Sequence, residues 1–302
     1  MRVLLFGSNG MLGQAIKDYM GTKVDVELFC AARDHADVSF DFREDGAVAD
    51  CFQQIQPDAI INTAAIVSLQ LCEDAPVMAY QINGRFCSIL SEQCRKFGCY
   101  LVQVSTDHYY SGQGPEKHGE DASVMLLNEY ARTKYAGECL ARTYPHSAVL
   151  RTNIIGFRGR KGRPTFLEWA IECMEHGESM TLFHDFYTSS IHVKQFACIL
   201  GDILGLQPEG IYNLASSTVS SKAEFLKALS WKLFHRPLEA ETGSVRDMKG
   251  CRRAESLGLD TSKIEALLGY RMPDLDEVLE SIWQEYEWRN KQDEIPYRDL
   301  DE

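Results

Sequence analysis

Through the first half of the chain, short apolar runs alternate with longer stretches whose apolar residues recur every three or four positions. The short runs read as strands and the longer stretches as helices. The strand candidates are Arg2–Gly7 (RVLLFG), Val26–Arg33, Val38–Phe42, Asp58–Ala65, Cys99–Thr106 and His146–Gly156. Helical spacing covers Met11–Met20, Arg43–Ile55, Pro76–Phe97 and a segment carrying Tyr130. Strands apolar on both faces, separated by helices, predict an α/β fold in which a doubly wound parallel sheet is covered on both sides.

The segment Phe157–Phe166 (FRGRKGRPTF) interrupts this rhythm with glycine, proline and basic residues. It predicts a crossing from a first domain, residues 1–157, into a smaller mixed α/β C-terminal lobe, residues 158–290, with a polar tail at 291–302. Elements of the two parts are free to interleave. Within the lobe, helices are expected over His192–Leu206, Ser221–Phe234 and Asp274–Trp288, and short strands near Thr181–Phe183 and Ile211–Leu214.

Composition narrows the class. The 302 residues are 45% hydrophobic and 25% charged, as in a soluble globular protein. No apolar run reaches the roughly 18 residues of a membrane-spanning helix. The N-terminus lacks the long apolar core of a signal peptide, so a cytoplasmic location without membrane attachment is expected. The ten cysteines are scattered and form no C-x-x-C pair. They read as reduced, mostly buried thiols, with no metal site. A formal net charge of -13 weighs against nucleic acid as a partner. A small anionic ligand in a local basic patch stays open.

The motifs sit where that fold would use them. GSNGMLG (Gly7–Gly13) follows the first strand and opens the first helix. Glycines there permit a tight turn and close approach of a pyrophosphate to the helix N-terminus. This points to a Rossmann-type sheet and a dinucleotide ligand; a plain glycine-rich turn is the alternative. At the end of the second strand Arg33 precedes Asp34. An arginine accommodates a 2′-phosphate and an acid the ribose hydroxyl, so NADP(H) is favoured and NAD(H) is the alternative; Arg33 as a plain surface residue also fits. Asp41 and Phe42 fall near an adenine edge. In IINTAA, Ala64 and Ala65 either admit the dinucleotide or pack helix on sheet.

The strand Val102–Asp107 (VQVSTD) ends in hydroxyls and a carboxylate. Ser105 and Thr106 either reach the ligands or, with Asp107, cap a turn. Tyr130 and Lys134, in NEYARTKYAGE, stand about one helical turn apart on the next helix. Together these parts suit carbonyl reduction. Tyr130 would give a proton to the forming alkoxide and Thr106 would orient that oxygen. Lys134 would lower the Tyr130 pKa from its usual value of about 10 and bind the nicotinamide ribose.

GSNGMLG, INTAA, YQIN, VSTD, NEYARTKYAGE and LRTNIIGF occur in the order and spacing of extended short-chain dehydrogenase/reductases. The sequence resembles in particular the dTDP-4-dehydrorhamnose reductase family, over about residues 1–290. FHDFYTSSIHVKQFACIL and LDTSKIEALLGYRMPD resemble that family's substrate-lobe segments. The resemblance implies NADPH- or NADH-dependent reduction of a 4-keto group on a nucleotide-linked deoxysugar. It implies a catalytic set of Thr106, Tyr130 and Lys134, and a cofactor site of Gly7, Gly10, Met11, Leu12, Gly13, Ala64, Ala65, Ser105, Tyr130 and Lys134. It gives Asn83, in YQIN, an indirect supporting role. A homodimer is compatible with it.

Two segments depart from the family pattern where the hexose would sit. STDHYYSG replaces STDYVFDG, bringing His108, and RTNIIGF replaces RTSWVYG, bringing Asn153. His108, Asn153 and Thr106 are therefore substrate-binding candidates, and the identity of the sugar is open. Arg163, in the basic run Arg158, Arg160, Lys161 and Arg163, either meets a substrate diphosphate or belongs to a solvated loop; the same choice applies to Arg252 and Arg253. The alternatives to reduction are an epimerase or dehydratase, or a non-catalytic NADP-binding subunit like that of methionine adenosyltransferase.

Overall fold

Seven parallel strands form the central sheet, in the order 210–213, 147–151, 100–104, 59–62, 2–6, 27–32 and 38–39. The computed structural model describes residues 1–39, 41, 46–160 and 162–293. Chain order reverses direction between Arg2–Phe6 and Ala59–Asn62, which leaves a crevice beyond their carboxyl ends. Leu4 and Leu5, Ile60 and Ile61, and Leu101 and Val102 are fully buried, as expected of strands covered on both faces. On one face the helices Met11–Met20 and Val193–Leu206 share a core with Val3, Leu5, Ile61 and Val102. On the other, Ala47–Ile55 and Phe86–Phe97 pack against Leu4, Phe6, Ile60 and Leu101, and Ala141 of helix Glu129–Ala141 joins the same core.

The expected parallel α/β sheet is therefore present, with a seventh strand drawn from later in the chain. Gly210–Asn213 lies beside Ser147–Arg151, and the helix before it packs on Met11–Met20. Residues from the C-terminal part thus complete the first sheet. Conversely, Lys117–His118 joins a four-stranded sheet with Ser256–Leu259, Tyr187–Thr188 and Ser220–Ser221. A separate core gathers Ile155, Phe157, Leu167, Ile171, Leu226, Leu229, Val278 and Ile282. Among the described residues, no helix is long and apolar enough to cross a membrane.

Several boundaries moved. Pro76–Phe97 runs as one rod, but Tyr80–Arg85 within it is wound as a π-helix. His146–Gly156 splits into Ser147–Arg151 and a two-residue strand, Ile154–Ile155, paired with Ile191–His192. The helices Leu69–Asp74, Phe166–His176 and Ser262–Leu268 were not expected. Phe42 and Lys161 lie outside the described residues, as do residues 43–45 of the helix expected from Arg43 and the tail beyond 293.

Helix Glu129–Ala141 is fixed at three levels. Asn128 caps it, its Oδ1 accepting from the Ala131 N–H at 2.8 Å. In its middle, Gly137 lets it approach the π-helical turn so closely that a Cβ there would run into the Asn83 carbonyl. Near its end, Glu138 receives Arg151 in a two-pronged ion pair, with Nη2 to Oε1 at 2.5 Å and Nε to Oε2 at 3.1 Å. Both side chains are buried. Arg151 also donates to the Tyr110 hydroxyl at 2.6 Å and the Glu120 carbonyl at 2.9 Å, so its donors are not stranded. Glu138→Gln or Arg151→Met should each destabilise the protein by about 3–5 kcal/mol, because the remaining charge stays buried and unpaired. Urea unfolding would measure this; a loss within the range of an ordinary surface change, about 0.5 kcal/mol, would contradict it.

Candidate active site

The glycine loop is shaped by its backbone. Gly7 has φ +85°, and a Cβ there would come within 2.7 Å of the Ala64 nitrogen. At Gly13 a Cβ would run into the Gly7 carbonyl oxygen. These two positions therefore require glycine. Gly10 precedes the first helix in extended conformation, with no side chain capping the first N–H groups. The amides of Met11, Leu12 and Gly13 begin the helix there, at the carboxyl edge of the sheet. Asn9 Nδ2 donates to the Asp34 carbonyl, tying this loop to the end of strand Glu27–Ala32.

Arg33 and Asp34 are exposed just past that strand. The Arg33 carbonyl accepts from Ser39 Oγ at 2.8 Å, and the residue is exposed. Asp41 is half-buried nearby in sequence. On the next strand, Asn62 Oδ1 accepts from the Ala64 N–H at 3.1 Å and its Nδ2 donates to Gln103 Oε1 at 2.8 Å. This sets the turn that carries Ala64 and Ala65. Asn83 holds the chain that follows: its Oδ1 accepts from the Ile66 N–H at 2.8 Å, while Nδ2 donates to the Ile66 carbonyl at 3.0 Å and to Thr133 Oγ1 at 3.1 Å. The π-helical turn aims this amide, a common use of such bulges.

Ser105 and Thr106 lie immediately beyond strand Tyr100–Val104, and both are buried. Ser105 Oγ donates to Glu138 Oε2 at 3.2 Å and shares a 2.7 Å hydrogen bond with the Tyr109 hydroxyl. Thr106 Oγ1 accepts from the His108 N–H and donates to Asp107 Oδ1, both at 3.3 Å. It therefore caps the turn, and it also acts on the Tyr130 phenol, whose pKa it draws down. Lys134 Nζ donates to the Val104 carbonyl at 2.8 Å, so the ammonium sits at the end of the same strand.

The electrostatics differ from the expectation of a lowered Tyr130 pKa. Burial pushes the phenol well above its usual value; the Thr106 hydrogen bond opposes this, and Asp107 adds to it. Burial also lowers the pKa of Lys134, against the pull of Cys87, Glu138 and Cys72. With its hydrogen bond committed to Val104, Lys134 does not overcome the desolvation of the phenol. Tyr130 is a protonated phenol across the neutral range.

A polar network runs outward from Asp107, next to Thr106. Asn153 Nδ2 donates to Asp107 Oδ2 at 2.7 Å, and Ser190 Oγ donates to Asn153 Oδ1 at 2.7 Å. Lys222 Nζ reaches Ser190 Oγ at 3.4 Å. Burial raises the Asp107 carboxyl to about 7, opposed by Asn153 and Lys222. His108 stands edge-on to Tyr130, with ring centroids 5.4 Å apart. Burial, then the charges of Arg253 and Lys222, lower its pKa to about 4, so the imidazole is neutral.

Thr106, Tyr130, Lys134, Ser105, His108 and Asn153 thus converge from successive elements of the chain. Arg163 does not join them through any side-chain bond; it is exposed, and its carbonyl accepts from Arg158. Sequence reasoning missed Lys222, Ser190 and the pair Glu138–Arg151. Glu138 stood in plain view within NEYARTKYAGE, and its spacing of four from Lys134 marked it as sharing that helix face.

A family model described as the RmlD substrate binding domain matches residues 1–288. A dTDP-4-dehydrorhamnose reductase of Sinorhizobium fredii is 25% identical over 289 residues, covering 92% of this chain and 95% of its own. Methionine adenosyltransferase 2 subunit beta of Pongo abelii is 26% identical, covering 93% and 87%. The crystal structure of a dTDP-4-dehydrorhamnose reductase from Bacillus anthracis in complex with NADP superposes with a TM-score of 0.84 at 22% identity, covering 94% of this chain and 98% of that one. The chain belongs to the RmlD substrate-binding domain family.

Proposed function

We propose that this protein is an NAD(P)H-dependent reductase of a 4-keto group on a nucleotide-linked deoxysugar. The observation that carries the reading is the buried trio Thr106, Tyr130 and Lys134 at the carboxyl end of strand Tyr100–Val104, beside the switch point of the sheet. The dTDP-4-dehydrorhamnose reductases among its relatives support the substrate class.

The residues fit a dinucleotide. Gly7 and Gly13 keep side chains out of the cradle, and the uncapped amides of residues 11–13 open toward it. Gly10, Ala64, Ala65 and Ser105 border the same edge, and an exposed Arg33 just past the second strand supports a 2′-phosphate partner, so NADP(H) is preferred to NAD(H) in this reading. The bound nicotinamide supplies the hydride.

The chain's own residues do the rest. Thr106 holds the ketone oxygen. As the new C–H bond forms, the carbonyl π pair moves onto that oxygen, which takes the phenolic proton of Tyr130. The raised pKa keeps Tyr130 protonated and ready to donate. Lys134, one turn along the helix with its ammonium on the Val104 carbonyl, would offset the charge of the tyrosinate left behind. Asn83 positions the set through Thr133 and the Ile66 backbone.

The likeness to a methionine adenosyltransferase beta subunit supports a second reading, a cofactor-binding partner without turnover. Absorbance of NADPH and NADH during incubation with nucleotide-linked 4-keto sugars separates the two. Oxidation of cofactor with a ketone present is expected; cofactor binding with no turnover would favour the second. Tyr130→Phe should lower kcat by roughly 10²–10⁴-fold with cofactor affinity nearly intact, and an unchanged rate would sink its role. Gly13→Ala should weaken NADPH binding at least about tenfold, read by fluorescence titration; retained affinity would remove the loop from the site. For Arg33→Ala, affinity for NADPH should fall more than that for NADH, and equal losses would remove the NADP preference.

A further inference from the structure

Lys222 is placed against its local preference. It is the first residue of helix Lys222–Phe234, directly after the Ser221 cap and at the positive end of the helix dipole. A cation there is disfavoured, so its position calls for another cause. The ammonium stands over Phe166 at 4.9 Å, Phe186 at 5.8 Å and Phe225 at 5.9 Å from the ring centroids. Its one hydrogen-bond partner among the described residues is Ser190 Oγ, at a long 3.4 Å. An ammonium has three donors, so two are left without a protein acceptor.

No described carboxylate makes an ion pair with it. Asp107 acts on it only through longer-range attraction, and the Asp107 carboxyl is itself drawn up to about 7 by burial, so it is a weak counter-ion. Glu224, on the same helix, turns back to cap Ser221. From the loop after strand Tyr100–Val104 comes neutral His108, and Arg253 adds a second cation acting on that same imidazole. A chain of net charge -13 therefore brings two cations, Lys222 and Arg253, to bear on His108, whose ring stands against Tyr130.

We propose that Lys222 is a substrate-binding residue whose ammonium, held by Ser190 and the three phenylalanine rings, takes an anionic oxygen of the sugar nucleotide beside Thr106 and Tyr130. This rests on the sugar-nucleotide reading and deepens it. The oxygen belongs either to the diphosphate or to a carboxylate on the hexose. Ser190, Asn153 and Asp107 link that contact to Thr106, so seating the anion also orients the sugar against the trio.

Burial lowers the Lys222 pKa to about 8, against the attraction of Asp107. The amine is cationic below that pH and neutral above it. Anion binding should be strong at lower pH and fade as pH rises through that value. An arginine would stay charged throughout.

The test is calorimetric titration of the NADP⁺-loaded protein with dTDP, UDP-glucose and UDP-glucuronic acid, at about pH 6.5 and about pH 9.5, on either side of the amine's titration. Lys222→Met should raise Kd for the anion-bearing probe roughly tenfold to a hundredfold at the lower pH and remove the part of the pH dependence centred at about 8, leaving only what Asp107 contributes at about 7. Lys222→Arg should retain binding at the higher pH, a rescue that a purely structural lysine would not give. Equal losses for dTDP and UDP-glucose identify the diphosphate; a loss confined to UDP-glucuronic acid identifies a hexose carboxylate. Wild-type binding that Lys222→Met leaves unchanged, with its pH dependence intact, overturns the inference alone. Failure of the wild type to bind any probe overturns the sugar-nucleotide reading and this inference with it. If Lys222→Met does not fold, the Lys222→Arg profile decides: loss of binding at the higher pH, as in the wild type, overturns it.

Discussion

The ion pair between Glu138 and Arg151 is the constraint on which the site depends. It joins helix Glu129–Ala141 to strand Ser147–Arg151 beneath the carboxyl edge of the sheet. Glu138 also accepts from Ser105, so the same carboxylate fixes the turn that presents Thr106. Tyr130 and Lys134 lie two turns and one turn earlier on that helix. Rotating the helix would separate the phenol from Thr106 and the ammonium from Val104. Buried ion pairs contribute little net stability when complete and cost much when broken. Its worth here is in register, which a catalytic geometry needs.

The sheet was legible in the sequence because its signals are local. Apolar runs such as RVLLFG and DAIINTAA have few other ways to be buried, and GSNGMLG marks where strand turns to helix. What escaped was either too short or masked by a louder signal. Strands of two residues, such as Ile154–Ile155 and Thr188 with Tyr187, carry no readable periodicity. Helix Phe166–His176 has both a capping box at Thr165 and Glu168 and an apolar stripe through Leu167, Ala170, Ile171 and Met174. The glycines and basic residues just before it carry the stronger local signal, that of a linker. Gly210–Asn213 was recognised as a strand, but no local pattern says that it returns to the first sheet.

The candidate site divides in the same way. Thr106, Tyr130 and Lys134 could be picked out because strand end, loop and helix follow one another in the chain. Asn153 was marked by its departure from the family pattern, but Lys222, Ser190, Asn153 and Asp107 are spread over more than a hundred residues, and only tertiary packing unites them. Energetics were less legible still. A tyrosine next to a lysine suggests a lowered pKa, yet burial of Tyr130 outweighs its neighbours, and Lys134 turns to a backbone carbonyl. Sequence adjacency gives the sign of a Coulomb interaction but says nothing about desolvation, which here decides the result.

The central claim is that this site moves a hydride onto a sugar ketone while Tyr130 supplies the proton. The most direct measurement follows the label: NADPH carrying deuterium at the transferable position of the nicotinamide is incubated with a nucleotide-linked 4-keto deoxysugar, and the product is analysed by NMR. The account predicts one deuterium on the new carbinol carbon at C4, with the hydroxyl proton drawn from water. Product without deuterium at C4, or no product from a protein that binds cofactor and sugar nucleotide together, would contradict it.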